Sequence, residues 1–504
     1  MKKIYAFILS LLCMIGMSLP VYAADNDVTL TVTGLNSGDK FKLWRVVEVN
    51  HDTATNNVTY AWNNDFKNYF EPEGEGAVKV TVTDFVNYTS NSTQLNDLLA
   101  GLPYYIRTNL GNTQPLGNTQ TANEAGQIIV NNLTAGCYFL EPVATTEVYQ
   151  PIFVSIVPTI NEQTNQYVYE NKNFSVSSKH TQSNVTKQVS IKGSNQFASG
   201  IGVSKPEVDA VKSTFTYRIT MDVPRYVVSP YTNSIQMTLE DQLPSGVTLV
   251  SGTITFKGHN GTGTETQLTI PDGQITTDGG KINVNLAPSY STLKDYSKIV
   301  MEYDAQLNDS AQLYYGDNKN KNTATYTYSK YPYAGNYTDT IERTASANVY
   351  TYTMSIDKID VATAGTSAKT KLPGAKFTLF RENTAADTGS TVAHDGKQLV
   401  VIKENLVTDN NGQINITGLA DGKYYLQERK APTGYVLDNE IKGPFTISLE
   451  TDRNLSVEIG NTKGLFTLPE TGSTGKLLYS LAGLALASIA TICLIVVYKK
   501  GKKG

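Results

Sequence analysis

Three polar residues in the last third of this 504-residue chain stand where apolar ones belong. In "MSIDKIDV" a two-residue period sends Met354, Ile356 and Lys358 to one face. In "DGKYYLQERKAPTGYVL" Tyr424, Leu426 and Glu428 share a face, and in "LSVEIGN" Leu455, Val457, Ile459 and Asn461 do. A lysine, a carboxylate and an amide therefore point into one core. Burying an isolated ammonium or carboxylate costs several kcal/mol. Burial also lowers a lysine pKa and raises a carboxyl pKa, because each charged form loses hydration. A neutral amine is a nucleophile, and a neutral carboxylic acid can polarise an amide carbonyl and shuttle protons. Held in contact by the fold, amine and amide gain effective molarity. The product is a Lys358–Asn461 isopeptide bond with loss of ammonia.

The middle of the chain repeats the pattern with other parts. In "VTKQVSI" Val185, Lys187, Val189 and Ile191 share a face; in "IQMTLED" Ile235, Met237, Leu239 and Asp241 do; in "NTATYTY" Asn322, Ala324, Tyr326 and Tyr328 do. A lysine, an acid and an amide, Lys187, Asp241 and Asn322, again enter one core.

The elements that must hold these residues are strands. Alternating segments such as "VTLTVTG", "VKVTVTDF", "SIQMTLED", "TATYTYS" and "FTISLE" are broken by "SGD", "PSG", "PDG" and "NNG" turns. Tyr (31) outnumbers Phe (15), which favours strands over helices. The expectation is an all-β chain of tandem immunoglobulin-like β-sandwich domains, divided at about residues 178 and 350 into 24–178, 179–349 and 350–466.

Both ends read as processing signals. "MKKIYAFILSLLCMIGMSLPVYAAD" has Lys2 and Lys3, an apolar run and small residues at Ala23 and Ala24, a secretory signal peptide over 1–23. Leu477 to Tyr498 is uncharged and long enough to cross a bilayer, and Lys499, Lys500, Lys502 and Lys503 follow it. The exported part then keeps one of three cysteines, Cys137, so no internal disulfide can staple it. A formal charge of −4 without long charge blocks gives no footprint for nucleic acid. His51, His180, His259 and His394 are scattered without triad or ligand spacing, so neither an enzyme nor a metal or cofactor is expected.

These features resemble a known family. "LPETG" (Leu468, Pro469, Glu470, Thr471, Gly472), the apolar run and the basic tail, together 467–504, are similar to the LPXTG cell-wall sorting signal of Gram-positive surface proteins. The resemblance implies that a sortase cuts between Thr471 and Gly472 and passes the Thr471 carbonyl to an amine. "YYLQERKAPTGY" resembles the E-box of collagen-adhesin B-type Ig-like domains, which implies Lys358 and Asn461 as bonded residues and Glu428 as the promoting acid. "EDQLPSGVTL" and "NTA" resemble the A-type sister domain, which implies Lys187 and Asn322 as a second bonded pair with Asp241 as the acid.

The first region resembles a degenerate B-type domain. In "LTAGCYFLEP" Glu141 falls one position early, on the face of Cys137 and Phe139 rather than Tyr138 and Leu140. Its first strand lacks a lysine, so no such bond is expected there unless a bulge restores the register or Lys42 substitutes.

Backbone pilins carry a lysine near the end of the first domain, in a motif resembling Val-Tyr-Pro-Lys, that accepts the next subunit. Lys179 stands at that point with Ser177 and Ser178 in place of Tyr and Pro; Lys172 in "YVYENKN" is the alternative. The function implied is the major shaft subunit of a sortase-assembled pilus, secreted and anchored to the cell wall. Its partners would be a pilus-specific sortase, further copies of itself head to tail, minor tip pilins, and peptidoglycan, reached directly or through a base subunit. The alternative is a wall-anchored adhesin that binds a host matrix protein and does not polymerise.

Overall fold

A computed structural model describes residues 28–464 and 484–492, apart from 75–78, 88–92, 112, 169–171, 182, 227–234, 262, 314–319, 331–338 and 449–453. The signal peptide and the LPETG pentapeptide lie outside the described residues, as does most of the apolar run after it. Among the described residues no helix is long and apolar enough to cross a membrane. The chain forms two compact units: Phe215–Ala311 and Asn320–Val349 with the chain up to Ile201, and Gly202–Thr214 and Gln312–Lys319 with the chain from Tyr350 onward.

The first unit begins with a three-stranded sheet in which Val28–Thr33 lies between Asn173–Ser177, parallel to it, and Ile128–Leu133, antiparallel. Against it packs a second sheet, in the order Asn57–Trp62, Lys40–Asp52, Gly136–Ala144, Ile152–Ile156. Leu30, Val32, Leu43, Tyr138 and Leu140 fill the space between. On the far side of the second sheet Trp44, Val46 and Phe139 meet Phe66 and Phe70 of helix Asn64–Phe70 and Leu99 and Leu102 of helix Thr93–Asn109. Helices are not expected from the strand-rich composition. Their presence explains why "GCYFLEP" is an unbroken buried run rather than an alternation, since that strand is covered on both faces. Trp44 and Trp62 are core aromatics of this layer.

The rest of the first unit is a sandwich of two six-stranded sheets. One contains Val185–Ile191, Thr214–Asp222 and Lys298–Leu307 side by side; the other contains Thr340–Tyr350, Lys321–Ser329, Met237–Gln242 and Lys281–Asn285 in that order. Inward rows alternate with outward polar ones along each strand, as in Thr214–Asp222, where Phe215, Tyr217, Ile219 and Met221 are buried.

The second unit packs a three-stranded sheet, Gln413–Leu419, Tyr352–Asp360, Asn454–Asn461, on a five-stranded one that includes Lys376–Glu382, Gly422–Lys430 and Ile441–Ile447. Its first and last long strands pair in parallel, with Lys358 opposite Ile459 and Asp360 opposite Asn461. The segment Gly202–Thr214 belongs to this unit: Val208 enters its core, and Arg381 pairs with Asp209 and Asp387. Contacts distant in sequence, such as these, leave no mark on local alternation.

Candidate functional site: two buried lysine, acid and amide clusters

In the second unit Lys358 is fixed by its backbone before its side chain is considered. Its N–H donates to the Gly412 carbonyl at 2.8 Å and its carbonyl accepts from Leu372 at 2.9 Å. Gly412 has φ +72°, and a Cβ there would come within 2.6 Å of the Leu372 nitrogen and 2.9 Å of the Lys358 oxygen, so the tight "DNNG" turn needs this glycine. Asp409 Oδ1 closes the same turn by accepting from the Asn411 and Gln413 nitrogens at 2.9 and 2.8 Å.

The Lys358 side chain is fully buried and its Nζ lies 3.1 Å from Glu428 Oε1. Asn461 Nδ2 donates to Glu428 Oε2 at 2.8 Å and to the Val436 carbonyl at 2.5 Å, and the Asp438 nitrogen donates to the same carboxylate oxygen at 3.0 Å. One carboxyl group thus bridges amine and amide across the sandwich, since Lys358 and Asn461 sit on neighbouring strands and Glu428 on the opposite sheet. The Lys358–Glu428 approach lacks hydrogen-bond alignment, and Lys358 Nζ, Glu428 Oε1 and Asn461 Oδ1 are buried without a hydrogen-bond partner among the described residues. Burial pushes the Lys358 amine below its ordinary pKa, against the opposing pull of the Glu428 charge.

In the middle sandwich the sheets divide the roles differently. Asp241 and Asn322 are neighbours on one sheet, Asp241 pairing with Ala324, two residues along the same face. Lys187 faces them from the other sheet, its Nζ 2.5 Å from Asp241 Oδ1 with both side chains fully buried. Desolvation lowers the Lys187 pKa to about 8, partly opposed by the Asp241 charge. Asn322 Oδ1 has no hydrogen-bond partner among the described residues. Between acid and amide stands Tyr303 of strand Lys298–Leu307. Its hydroxyl donates to Asp241 Oδ2 at 2.6 Å and accepts from Asn322 Nδ2 at 2.6 Å. Sequence reading misses Tyr303 because an inward tyrosine among Ile299, Met301 and Ala305 reads as an ordinary core aromatic. The signal available was that it is the one hydroxyl in that row.

The first region holds its buried acid differently. Glu141 lies with Trp44, Cys137 and Phe139, the face its one-residue shift requires, accepts from Trp44 Nε1 at 2.9 Å and pairs with Arg107 at 3.3 Å. Lys42 is its cross-strand neighbour but remains partly exposed.

Lys172 and Lys179 are both exposed. Lys179 occupies the short gap between strands Asn173–Ser177 and His180–Thr181. The backbone on either side is held by Ser178 N donating to the Thr33 carbonyl at 2.8 Å and Gln150 N donating to the Lys179 carbonyl at 2.9 Å. Phe174 and Val176 pack against the core, and the lysine falls on the alternate, outward parity.

Residues 353–463 match the family model of the SpaA prealbumin-like fold domain. A curated relative, the trypsin-resistant surface T6 protein of Streptococcus pyogenes serotype M6, is 24% identical over 469 residues, covering 86% of this chain and 75% of the relative. The solved T6 backbone pilin of the same serotype, described as a modular three-domain structure, superposes with a TM-score of 0.52 at 20% identity, covering 83% of this chain and 80% of that one. The full-length major pilin SpaD of Corynebacterium diphtheriae gives a TM-score of 0.50 at 18% identity, covering 88% and 99%. The chain is thus a relative of the T6 surface protein, and its fold is that of solved backbone pilins of Gram-positive bacteria. As in the solved pilins it resembles, tandem β domains make up most of the chain.

Proposed function

We propose that this chain is the major shaft subunit of a covalently polymerised pilus on a Gram-positive cell surface. Its domains are 24–178, 179–349 and 350–466 between the signal peptide and the sorting signal. Two of them are cross-linked by autocatalytic bonds, Lys187–Asn322 promoted by Asp241 and Lys358–Asn461 promoted by Glu428. Subunits are joined when a sortase transfers the Thr471 carbonyl of one copy to Lys179 of the next, with Lys172 as the alternative acceptor. The last copy passes to peptidoglycan or to a base subunit.

The observation that carries the internal chemistry is the polar geometry of the two cores. In each, a fully buried lysine of lowered pKa touches a carboxyl group that reaches an asparagine amide, directly or through one hydroxyl. A salt bridge kept for stability alone would be expected to satisfy its remaining lone pairs and protons, yet among the described residues each amide oxygen is left without a partner. Bond formation replaces an expensive buried ion with a neutral amide.

Intact mass of the exported portion tests this: the expected value is short by two ammonia molecules, and a full-mass chain refutes it. Immunoblots of cell-wall extracts test polymerisation. A high-mass ladder abolished by Lys179→Ala and kept in Lys172→Ala is expected, whereas one band unchanged by either substitution would favour a wall-anchored adhesin.

A further inference from the structure

The two clusters differ in how the acid reaches the leaving nitrogen. Glu428 contacts Lys358 through one oxygen and Asn461 Nδ2 through the other. Asp241 is one methylene shorter; its Oδ1 meets Lys187, and its Oδ2 meets the Tyr303 hydroxyl, which alone of the two touches Asn322 Nδ2. We propose that Tyr303 is a catalytic residue of the middle domain, relaying a proton from Asp241 to the departing amide nitrogen of Asn322. The inference rests on the cross-link reading of that site.

The chemistry balances along the observed contacts. Lys187 first passes one proton to Asp241, leaving a neutral amine beside a neutral acid. The amine attacks Cγ of Asn322 and a new N–C bond forms. Collapse breaks the Cγ–Nδ2 bond, and Nδ2 must gain one proton to leave as ammonia. A planar amide nitrogen donates, as Asn322 Nδ2 does to Tyr303; once Cγ is tetrahedral that nitrogen becomes basic and the direction reverses. Tyr303 then gives its hydroxyl proton to Nδ2 and is refilled from Asp241 Oδ2. The carboxylate recovers a proton from the newly bonded Lys187 nitrogen through Oδ1. The phenol ends unchanged, and Asp241 ends as the neutral acid formed in the first transfer, its extra proton being the one the lysine ammonium brought; passing that proton to the departing ammonia gives ammonium and restores the carboxylate.

Buried hydroxyls also serve as simple packing anchors, so the test separates the two roles. Linkage of the Lys187 and Asn322 peptides is followed by mass spectrometry with time after synthesis, using the full exported chain. Linkage of Lys358 to Asn461 in the same molecules reports that the second unit has folded, and limited proteolysis reports that the middle sandwich has. In Tyr303→Phe, which keeps the ring and removes the hydroxyl, middle-domain linkage is expected to slow about a hundredfold, the usual worth of one general acid, while the C-terminal linkage is unaffected. Adding Asp241→Glu to Tyr303→Phe lengthens the acid toward the direct geometry of Glu428, and linkage is expected to recover. Unslowed linkage in Tyr303→Phe overturns the relay, and so does a folded double variant that fails to recover. If the wild-type chain carries no Lys187–Asn322 linkage, the cross-link reading itself fails, a result distinct from either.

Discussion

Glu428→Gln is the sharpest perturbation of the C-terminal cluster, because it preserves shape and removes the carboxyl group that bridges Lys358 and Asn461. An amide cannot take the lysine proton, so the bond should not form and the chain should retain one ammonia. The energetic consequence follows from connectivity. Lys358 and Asn461 enclose roughly 100 residues, and the loop-closure argument used for disulfides assigns such a link about 5 kcal/mol through its restriction of the unfolded chain. At about 4 °C or more per kcal/mol for a domain of this size, the unit should melt about 20 °C lower. The unbonded lysine would add to the loss, being a fully buried cation stripped of its counter-charge. Intact mass and differential scanning calorimetry on the same sample read both effects. Lys358→Met, which removes bond and charge together, isolates the contribution of the link. A Glu428→Gln chain that still loses both ammonia molecules would refute the assigned role of the acid. A chain that keeps one ammonia yet melts within a few degrees of wild type would refute the loop-closure estimate.

Two further predictions concern groups left ionisable or unpaired. Asn322→Ala blocks the middle bond and leaves Lys187 free to titrate with a folded pKa of about 8 against an ordinary 10.5. The unfolded chain then binds the extra proton between those values. The penalty is therefore full below pH 8 and relieved as pH rises, and the urea midpoint should climb across pH 8 to 10.5 by an equivalent of about 3 kcal/mol; a flat or falling profile contradicts this. Arg381→Met leaves Asp209 and Asp387 buried without their guanidinium, which should cost the second unit about 3–5 kcal/mol, seen as a lower denaturant midpoint. Replacing both aspartates by asparagine in that background should recover part of the loss.

The residues of both clusters were legible because strand alternation is strict. A lysine at an inward position of "MSIDKIDV" or "VTKQVSI" can face only the core, and the acid and amide strands obey the same parity. Parity says which face a side chain takes but not its partners across the sandwich. Tyr303 was invisible for that reason: its chemistry comes from lying between Asp241 and Asn322, residues of another sheet. The helices of the first region were missed because "LTVTG"-like alternation on either side dominated the composition. Helix Thr93–Asn109 also carries Pro103 in its interior, a residue that argues against a helix when read locally.

The placement of the proposed cross-links would account for the absence of the pattern from the first region. With the proposed subunit joints, tension would enter at Lys179 and leave at Thr471. From Lys179 it follows the backbone to Lys187 and crosses to Asn322. It then runs along the chain to Lys358, crosses to Asn461 and reaches Thr471. The strands between each bonded pair are bypassed, so the sandwiches need not resist shear by hydrogen bonds alone. Everything before Lys179 lies off this path, including the sheet whose acid, Glu141, is engaged by Trp44 and Arg107 rather than by a buried lysine. A domain that carries no load gains nothing mechanical from a staple, and there the acid's face reversed with no lysine strand to answer it. Under single-molecule pulling through Lys179 and Thr471, the wild-type chain should therefore extend with no unfolding step from either cross-linked sandwich, whereas Lys187→Ala should add one step corresponding to release of the middle domain. A wild-type trace showing that step would place the load elsewhere and refute the path.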